Sequence, residues 1–370
     1  MKPLTHRLAT ALLALLAACS SDKPKPTPLE AITPQIAGRL VWRAQIDGVV
    51  PSLVVLARDG EFTVAAADGT VLALQADSGR EVWRGSAGAP VSAGVGSDGR
   101  FAAVVTRDNE VVVLERGAVK WRTRLASRVS TPPLVAGERV FVMGVDRVVN
   151  AFDVIDGRLL WTLQRPGEAL TLSQPGVVAA YKDTLLVGQS QRLTGVDPLR
   201  GGVRWEVALG NPRGTNEVER LSDLTGPALR VGDVVCARSF QSAVGCANAQ
   251  LATLLWTKNV GGVQAVGGDA DLVVGADASD RITAWRTNTG DLAWTSEGLR
   301  YRGLSGPLVV GRTVIFGDSD GEVHFLDRAD GKTLLRLPTD GSPVIGVPVR
   351  AGNTILVVTR NGGLFAFRPE

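Results

Sequence analysis

A tryptophan recurs about every forty residues through most of this chain, and no other feature limits its fold as strongly. The series occupies positions 42, 83, 121, 161, 205, 256 and 294, and Leu335 takes the eighth place. A glycine stands four residues before seven of these eight positions, and Ala252 is the exception. Glycine supplies the positive φ angle that a tight hairpin turn requires. The chain is therefore predicted to be a tandem repeat of one structural unit.

Each unit reads as a set of short strands. The stretch "ERVFVMGVDRVVNAFDVIDGRLLW" has an apolar strand, a turn at Val145 and Asp146, an alternating strand, a glycine turn and the strand that carries Trp161. A preceding strand such as "TPPLVAG" brings the count to four. Short strands with a period near forty are typical of a β-propeller, and no helical period persists beyond the first segment. We predict an all-β, eight-bladed β-propeller of four-stranded antiparallel blades over residues 37–370.

The two ends of the repeat complement each other. The last unit, "SPVIGVPVRAGNTILVVTRNGGLFAFRPE", stops after its third strand, whereas "GRLVWRAQID" at 38–47 is a lone fourth strand. Pairing these two segments closes the ring and removes two open sheet edges, which otherwise promote aggregation. The recurrent tryptophans are expected to wedge between blades as packing residues.

The first residues resemble an export signal. A basic start with Lys2 and Arg7 precedes a largely apolar stretch of eleven residues, 8–18, which is too short for a permanent membrane span. The sequence Leu16-Ala17-Ala18-Cys19 is similar to the bacterial lipobox, in which the cysteine is lipidated. We interpret residues 1–18 as a lipoprotein signal peptide, with an ordinary signal peptide and a chance cysteine as the alternative.

Lipidation of Cys19 predicts a membrane-anchored protein. Ser20, rather than aspartate, follows the cysteine, and this favours the outer membrane over the inner one. The proline-rich segment 19–36 is predicted to be a flexible tether that carries the propeller on the periplasmic face.

Two cysteines stand at matching places in one unit. Cys236 and Cys246 occupy the positions of Phe141 and Ala151 in an earlier unit, which face each other across a predicted hairpin. Opposed cysteines on antiparallel strands are within disulfide reach, and the periplasm is oxidising. We predict a Cys236–Cys246 disulfide, and two buried free thiols are the alternative.

Little in the sequence indicates catalysis. The net charge of +3 is spread along the chain, which argues against nucleic-acid binding. His324, the one histidine after the signal, lies on an alternating strand and is expected at a sheet surface; no triad signature and no metal spacing accompany it. Trp285 stands outside the tryptophan series, and we expect core packing rather than ligand stacking.

An enzyme class nevertheless shares the repeat. The stretch "AFDVIDGRLLW" resembles the repeat of quinoprotein dehydrogenases, which bind pyrroloquinoline quinone. Those enzymes are longer and usually carry a disulfide between adjacent cysteines and carboxylates around calcium. This chain has no adjacent cysteine pair and no acidic cluster confined to one set of loops. A pyrroloquinoline-quinone-dependent periplasmic dehydrogenase is thus the alternative function, and no cofactor and no metal are predicted.

Two long connections interrupt the rhythm. "RPGEALTLSQPG" (165–176) follows the Trp161 strand, and "GNPRGTNEVERLSDLTGP" (210–227) follows the Trp205 strand. Connections of one kind on consecutive blades emerge side by side on one rim. A solvated insertion is one interpretation, because loop length costs only about 0.6 kcal/mol per doubling. However, Leu170 and Leu172 beside a charged loop have the composition of a protein-binding patch.

The lipobox, the eight repeats, "GTNEVERLSD" and the "LRYRGLSGP" loop at 299–307 together resemble the BamB family. Its members are accessory lipoproteins of the outer-membrane β-barrel assembly machinery. The resemblance covers the whole chain and implies a non-catalytic scaffold that binds the periplasmic domains of the central barrel subunit, BamA. It requires no cofactor, and open blade edges would suit nascent outer-membrane strands.

The resemblance also implies the contact residues. In the family, leucines and an arginine on one loop and aspartates on the next carry the contact. The residues predicted to bind the partner are Leu170, Leu172, Glu219, Arg220, Asp223 and Arg302. This sequence departs from the family at Ser173, where the family has the arginine, and at Thr225, where it has a second aspartate. We expect Arg220 to supply the missing cation.

Overall fold

The computed structural model describes residues 24–49, 52, 54–165, 171–210 and 221–369. Within these ranges 32 β-strands form eight four-stranded antiparallel sheets, and none of the described residues is helical. The sheets follow one another along the chain as the blades of an eight-bladed β-propeller. The predicted fold class and blade number are confirmed.

The first four complete sheets are blades 1 to 4. Their strands are β2 (Leu56–Arg58), β3 (Glu61–Ala65), β4 (Thr70–Gln75) and β5 (Glu81–Ser86) in blade 1; β6 (Val91–Ser97), β7 (Phe101–Thr106), β8 (Glu110–Glu115) and β9 (Ala118–Arg124) in blade 2; β10 (Leu134–Ala136), β11 (Arg139–Met143), β12 (Val149–Asp153) and β13 (Leu159–Leu163) in blade 3; and β14 (Val178–Tyr181), β15 (Thr184–Gln189), β16 (Arg192–Val196) and β17 (Val203–Ala208) in blade 4.

Blades 5 to 8 complete the ring. Their strands are β18 (Leu224–Val231), β19 (Val234–Ser239), β20 (Ala243–Asn248) and β21 (Thr253–Lys258) in blade 5; β22 (Gly267–Gly268), β23 (Leu272–Ala276), β24 (Ile282–Arg286) and β25 (Leu292–Ser296) in blade 6; β26 (Leu308–Val310), β27 (Thr313–Gly317), β28 (Glu322–Asp327) and β29 (Thr333–Pro338) in blade 7; and β30 (Val344–Ala351), β31 (Thr354–Thr359), β32 (Gly363–Pro369) and β1 (Gly38–Gln45) in blade 8.

The N-terminal strand closes the ring, as predicted. Strand β1 pairs antiparallel with β32, from Gly38 opposite Pro369 to Gln45 opposite Gly363. Blade 8 therefore joins the first strand of the chain to the last three. The sheet edge that β32 would otherwise expose is covered.

The antiparallel order sorts the connections onto two rims. In each blade, the turn between the second and third strands leaves on the same side as the crossover from the fourth strand to the next blade. We call this side the crossover rim. The turns between first and second strands and between third and fourth strands form the opposite rim.

The recurrent tryptophans join neighbouring blades. The Trp121 indole nitrogen donates to the carbonyl of Val154 in the next blade at 2.8 Å, three residues before Gly157. Four other tryptophans repeat this bond in the same register: Trp42 to Ala76, Trp161 to Pro198, Trp256 to Thr287, and Trp294 to Arg328. A Cβ atom on Gly157 would lie 2.6 Å from the Trp121 ring, so only glycine fits there. The predicted wedge is confirmed for these five tryptophans.

The turn glycines have the expected backbone. Six of them have φ between 70° and 90°: Gly79, Gly117, Gly157, Gly201, Gly290 and Gly331. Gly38 differs because it begins β1 and follows no hairpin. At the exceptional position, Ala252 adopts φ 54°, so the turn is kept although its residue is unsuited to it.

Blade 5 carries the disulfide. Cys236 on β19 lies directly opposite Cys246 on β20, with a Cα–Cα distance of 4.0 Å, and their sulfur atoms are bonded. Both residues are fully buried in a cluster with Trp256 and Trp285. Trp285 is a core residue, as expected, and its ring centroid lies 6.4 Å from that of Trp256.

The predicted tether is wrong in part, because residues 27–36 are docked on the propeller. The Thr27 N–H donates to the Arg300 carbonyl at 2.9 Å, and the Gln35 N–H donates to the Leu334 carbonyl at 2.9 Å. Leu29 and Ile36 pack against apolar clusters of the last blades. These two apolar side chains give the proline-rich segment apolar surface to bury. Residues 19–23 lie outside the described residues.

Candidate partner-binding surface

The two long crossovers meet on the crossover rim. The Leu172 N–H, between blades 3 and 4, donates to Asp223 Oδ2, between blades 4 and 5, at 3.0 Å. The Gly226 N–H donates to the Pro175 carbonyl at 2.8 Å. The prediction that the two connections emerge side by side is confirmed. Leu172 is partly exposed there, and Ser173 beside it is exposed.

Asp223 joins three blades. Arg147, in the turn between β11 and β12 of blade 3, donates from Nη2 to Asp223 Oδ1 at 3.0 Å. The Phe240 N–H of blade 5 donates to the Asp223 carbonyl at 3.0 Å. The Gln189 side chain of blade 4 donates to the Arg147 carbonyl at 2.9 Å. We call Arg147, Asp223 and Leu172 the rim clamp.

The clamp is largely withdrawn from solvent. The side chains of Arg147 and Asp223 are 10% and 18% exposed. Each Asp223 carboxylate oxygen already accepts a hydrogen bond within the chain. Asp223, expected to contact a partner, is therefore engaged internally and fixes the backbone that presents Leu172. Removing one member of a charge pair at this depth leaves the other charge buried and uncompensated, which strongly destabilises the folded state.

Sequence reasoning missed Arg147. It lies in a turn whose composition resembles that of other turns, and its only distinctive property, a φ of 64°, is visible in the structure alone. Arg147 supplies a cation to Asp223 within the chain, whereas Arg220 as the partner-contacting cation stays a prediction. Leu170, Glu219 and Arg220 lie outside the described residues, as does Cys19.

The second departure from the family pattern is buried. Thr225 is 3% exposed and its hydroxyl donates to the Arg238 carbonyl at 3.2 Å. The Arg238 side chain in turn donates to the carbonyls of Gln264, Val260 and Ala276, at 2.7, 3.0 and 2.8 Å. Burial lowers the pKa of Arg238 to about 10. Thr225 therefore belongs to the joint between blades 5 and 6 rather than to the exposed surface.

Arg302 is not an exposed contact residue, in contrast to the prediction. It is 5% exposed and donates from Nε to Asp318 at 2.7 Å, from Nη2 to Asp320 at 2.6 Å, and from Nη1 to the Thr27 carbonyl at 3.2 Å. All three nitrogens of its guanidinium are therefore engaged within the chain. Arg302 fastens the N-terminal segment to blade 7.

His324 is also buried, not at a sheet surface as expected. Its Nε2 lies 3.0 Å from Asp318 Oδ2, and both side chains are fully inaccessible. Burial by itself would raise the pKa of Asp318, but hydrogen bonds from His324, the Glu322 N–H and Arg302 outweigh it and lower the pKa to about 2. The cluster is an internal support of blade 7.

Among the described residues, the cavity directly beneath the clamp is small. A cavity of about 40 Å³ lies below Leu172, lined among others by Thr131, Met143 and Gln174. Small-molecule sites typically enclose roughly 300 Å³ or more. Among the described residues, no group of three or more His, Cys, Asp or Glu side chains is placed to hold a metal ion. The described part of the chain contains no helix that could cross a membrane.

Eight four-stranded blades, tryptophans docked on glycine turns and a ring closed by the first strand define a quinoprotein-like β-propeller with its elaborated loops on one rim. A family model described as outer membrane protein assembly factor BamB matches residues 67–296 and 295–370. An outer membrane protein assembly factor BamB from Burkholderia pseudomallei is 36% identical over 97% of this chain and 96% of its own length. The chain belongs to the BamB family.

Solved structures agree on the fold. BamB from Moraxella catarrhalis superposes with a TM-score of 0.81 at 23% identity, covering 90% of this chain and all of that one. A quinohemoprotein alcohol dehydrogenase from Comamonas testosteroni gives a TM-score of 0.68 at 14% identity, covering 90% of this chain and 76% of the enzyme. The propeller is thus shared with dehydrogenases, whereas the sequence relationship is to assembly factors.

Proposed function

We propose that this protein is a non-catalytic scaffold of the outer-membrane protein assembly complex. A lipid on Cys19 holds it on the periplasmic face of the outer membrane, and its crossover rim binds the periplasmic domains of the central barrel subunit. Family membership supports the general role. The observation that carries the proposed contact is the rim clamp, which joins blades 3, 4 and 5 into one presenting surface.

The clamp explains how a loop can serve as a binding surface. A free loop must be ordered on binding, and that ordering reduces affinity. Here the Leu172 backbone is fixed by a carboxylate that is itself held by a buried guanidinium. Leu172 then acts as the apolar contact at the centre of a polar rim. Asp223 and Arg147 are positioning residues that act through this loop.

Affinity capture from solubilised outer membrane tests the contact. Leu172→Asp should reduce recovery of the barrel subunit at least tenfold, because it places a charge in an apolar contact. Leu159→Asp is the matched control, since Leu159 is 53% exposed at the opposite rim of blade 3. Circular dichroism should show both variants folded. Equal recovery with both would refute the proposed surface.

A second pair of variants tests the positioning role. Arg147 is too buried to form a large contact itself. Arg147→Gln should nevertheless weaken capture, whereas Arg147→Lys, which keeps the charge next to Asp223, should restore most of it. If Arg147→Gln is folded and captures normally, the clamp does not position the binding loop.

A further inference from the structure

The docked N-terminal segment first meets the propeller at Thr27. Thr27 is held by the Arg300 carbonyl and by Arg302, which is itself fixed by Asp318 and Asp320. The loop that makes these contacts, 297–303, is the crossover between blades 6 and 7. The chain therefore leaves the propeller on the crossover rim, on the same side as the rim clamp.

The distance from Thr27, where the chain leaves the propeller, to the lipid is short. Eight residue steps separate Cys19 from Thr27, and a fully extended chain covers at most about 3.6 Å per step. With Cys19 lipidated, as the proposed function requires, Thr27 stays within about 29 Å of the lipid headgroups. The loop 297–303, which we call the exit loop, is thus brought close to the membrane.

The exit loop is rigid and presents an amphipathic aromatic residue. Tyr301 is 37% exposed at φ 59°, and its N–H donates to the Ser279 carbonyl at 3.0 Å. The Gly303 and Leu304 N–H groups donate to Asp280 at 2.7 and 3.1 Å. These bonds hold a tyrosine outward in a backbone conformation that non-glycine residues rarely adopt.

One arginine contacts the tyrosine. The Arg300 guanidinium lies 5.0 Å from the Tyr301 ring centroid, and its Nη2 donates to the tyrosine hydroxyl at 2.9 Å. Glu297 lies near both Arg300 and Arg281, at 3.5 and 3.4 Å. Lys25 adds a further exposed cation two residues before Thr27, and the exposed Asp320 is paired with Arg302. The carboxylates of Glu297, Asp320, Asp318 and Asp280 balance these four cations, so Arg300 acts at the exit as a single cation rather than as part of a positive patch.

We infer that the exit loop, 297–303, contacts the phospholipid headgroups, with Tyr301 and Arg300 as the interfacial residues. Tyrosine is enriched at membrane–water interfaces because its ring is apolar and its hydroxyl is polar. A neighbouring arginine is attracted by anionic headgroups. This contact orients the propeller so that the part of its crossover rim at blades 6 and 7 faces the membrane.

Two glycines permit a matched test. A Cβ atom on Gly298, in the exit loop, or on Gly202, on the opposite rim of blade 4, would meet nothing within 4 Å, and both residues are exposed. Gly298→Cys and Gly202→Cys each add one labelling site, since Cys236 and Cys246 are bonded. The full-length lipidated proteins are labelled with a small fluorophore and reconstituted into phosphatidylcholine–phosphatidylglycerol vesicles that contain headgroup spin-labelled lipid.

The expected result is quenching at position 298 several-fold stronger than at position 202, reduced at least twofold when Tyr301→Ser is added. Equal quenching at the two positions, or stronger quenching at 202, overturns the orientation. Strong quenching at 298 that Tyr301→Ser leaves unchanged overturns the contact and leaves the loop free for a protein partner. If the protein fails to float with vesicles, it has no lipid anchor, and both the orientation and the headgroup contact are refuted. Capture of the barrel subunit tests the rim clamp separately.

Discussion

At the residue scale, Ala252 stands where the other seven repeats have a glycine. It keeps the left-handed turn with φ 54°, although a Cβ atom is disfavoured there. Ala252→Gly should raise the free energy of unfolding by about 1 kcal/mol, after allowing for the greater flexibility of glycine in the unfolded chain. Urea denaturation followed by tryptophan fluorescence measures the change.

The matched control has the opposite sign. Gly201→Ala introduces a Cβ atom 2.7 Å from the Trp161 ring at φ 74°, so it should destabilise the protein. A destabilising Ala252→Gly would show that the turn at blade 5 is shaped by its neighbours rather than by backbone preference.

Asp318 gives a pH-dependent prediction at the same scale. Its folded pKa of about 2 lies below the usual value near 3.8. It therefore contributes about 2 kcal/mol above pH 4, and this contribution is lost as the pH falls from 4 to 2. The stability difference between the wild type and Asp318→Asn, measured by urea denaturation, should shrink by about 1 kcal/mol between pH 6 and pH 3. A constant difference would contradict the assignment.

Individual site residues were only partly predictable. The adjacency of Leu172 and Asp223 followed from blade register, which is a property of the repeat. The partner of Asp223 did not, because Arg147 is 76 residues away in sequence and belongs to another blade's turn. The burial of Arg302 was unpredictable because it depends on where the N-terminal segment docks.

At the scale of the element, the disulfide is a local staple of blade 5. It closes a loop of ten residues between β19 and β20. In the chain-entropy description, its removal costs about 2 to 3 kcal/mol. The double variant Cys236→Ala/Cys246→Ala should lose this amount in urea denaturation.

Reductant provides the control for that prediction. It should lower the stability of the wild type under denaturing conditions and leave the double variant unchanged. Equal stability of the oxidised wild type and the variant would show that the bond adds nothing beyond the packing around Trp256.

Strand positions were predictable because the sequence signals are local. Glycine turns and alternating apolar residues define each hairpin, and the pairing of Cys236 with Cys246 follows from the same register. The docked segment 27–36 was not predictable in this way. It has no strand periodicity, and its contacts are made with the last blades, about three hundred residues further along the chain.

At the scale of the whole molecule, ring closure by β1 is the decisive contact. A soluble chain that begins at residue 46 lacks this strand, so it exposes the edge of β32 and loses the Trp42 bond to Ala76. It should melt roughly 10 °C lower than a chain that begins at residue 24, and it should self-associate. Differential scanning calorimetry and light scattering measure the two effects.

A chain that begins at residue 37 separates the docked segment from the closing strand. It keeps β1 and should remain monomeric, with a smaller loss in melting temperature. Should the chain that begins at residue 46 match it in both measurements, closure would contribute little to the stability of the ring.

The joining of first strand to last also sets an order of events during biogenesis. The strand that is synthesised first must wait for the one that is synthesised last, so the ring closes only after the last strand has been made. Until then, blade 8 is an incomplete sheet with an open edge. A protein proposed to help others assemble thus passes through a vulnerable stage of its own.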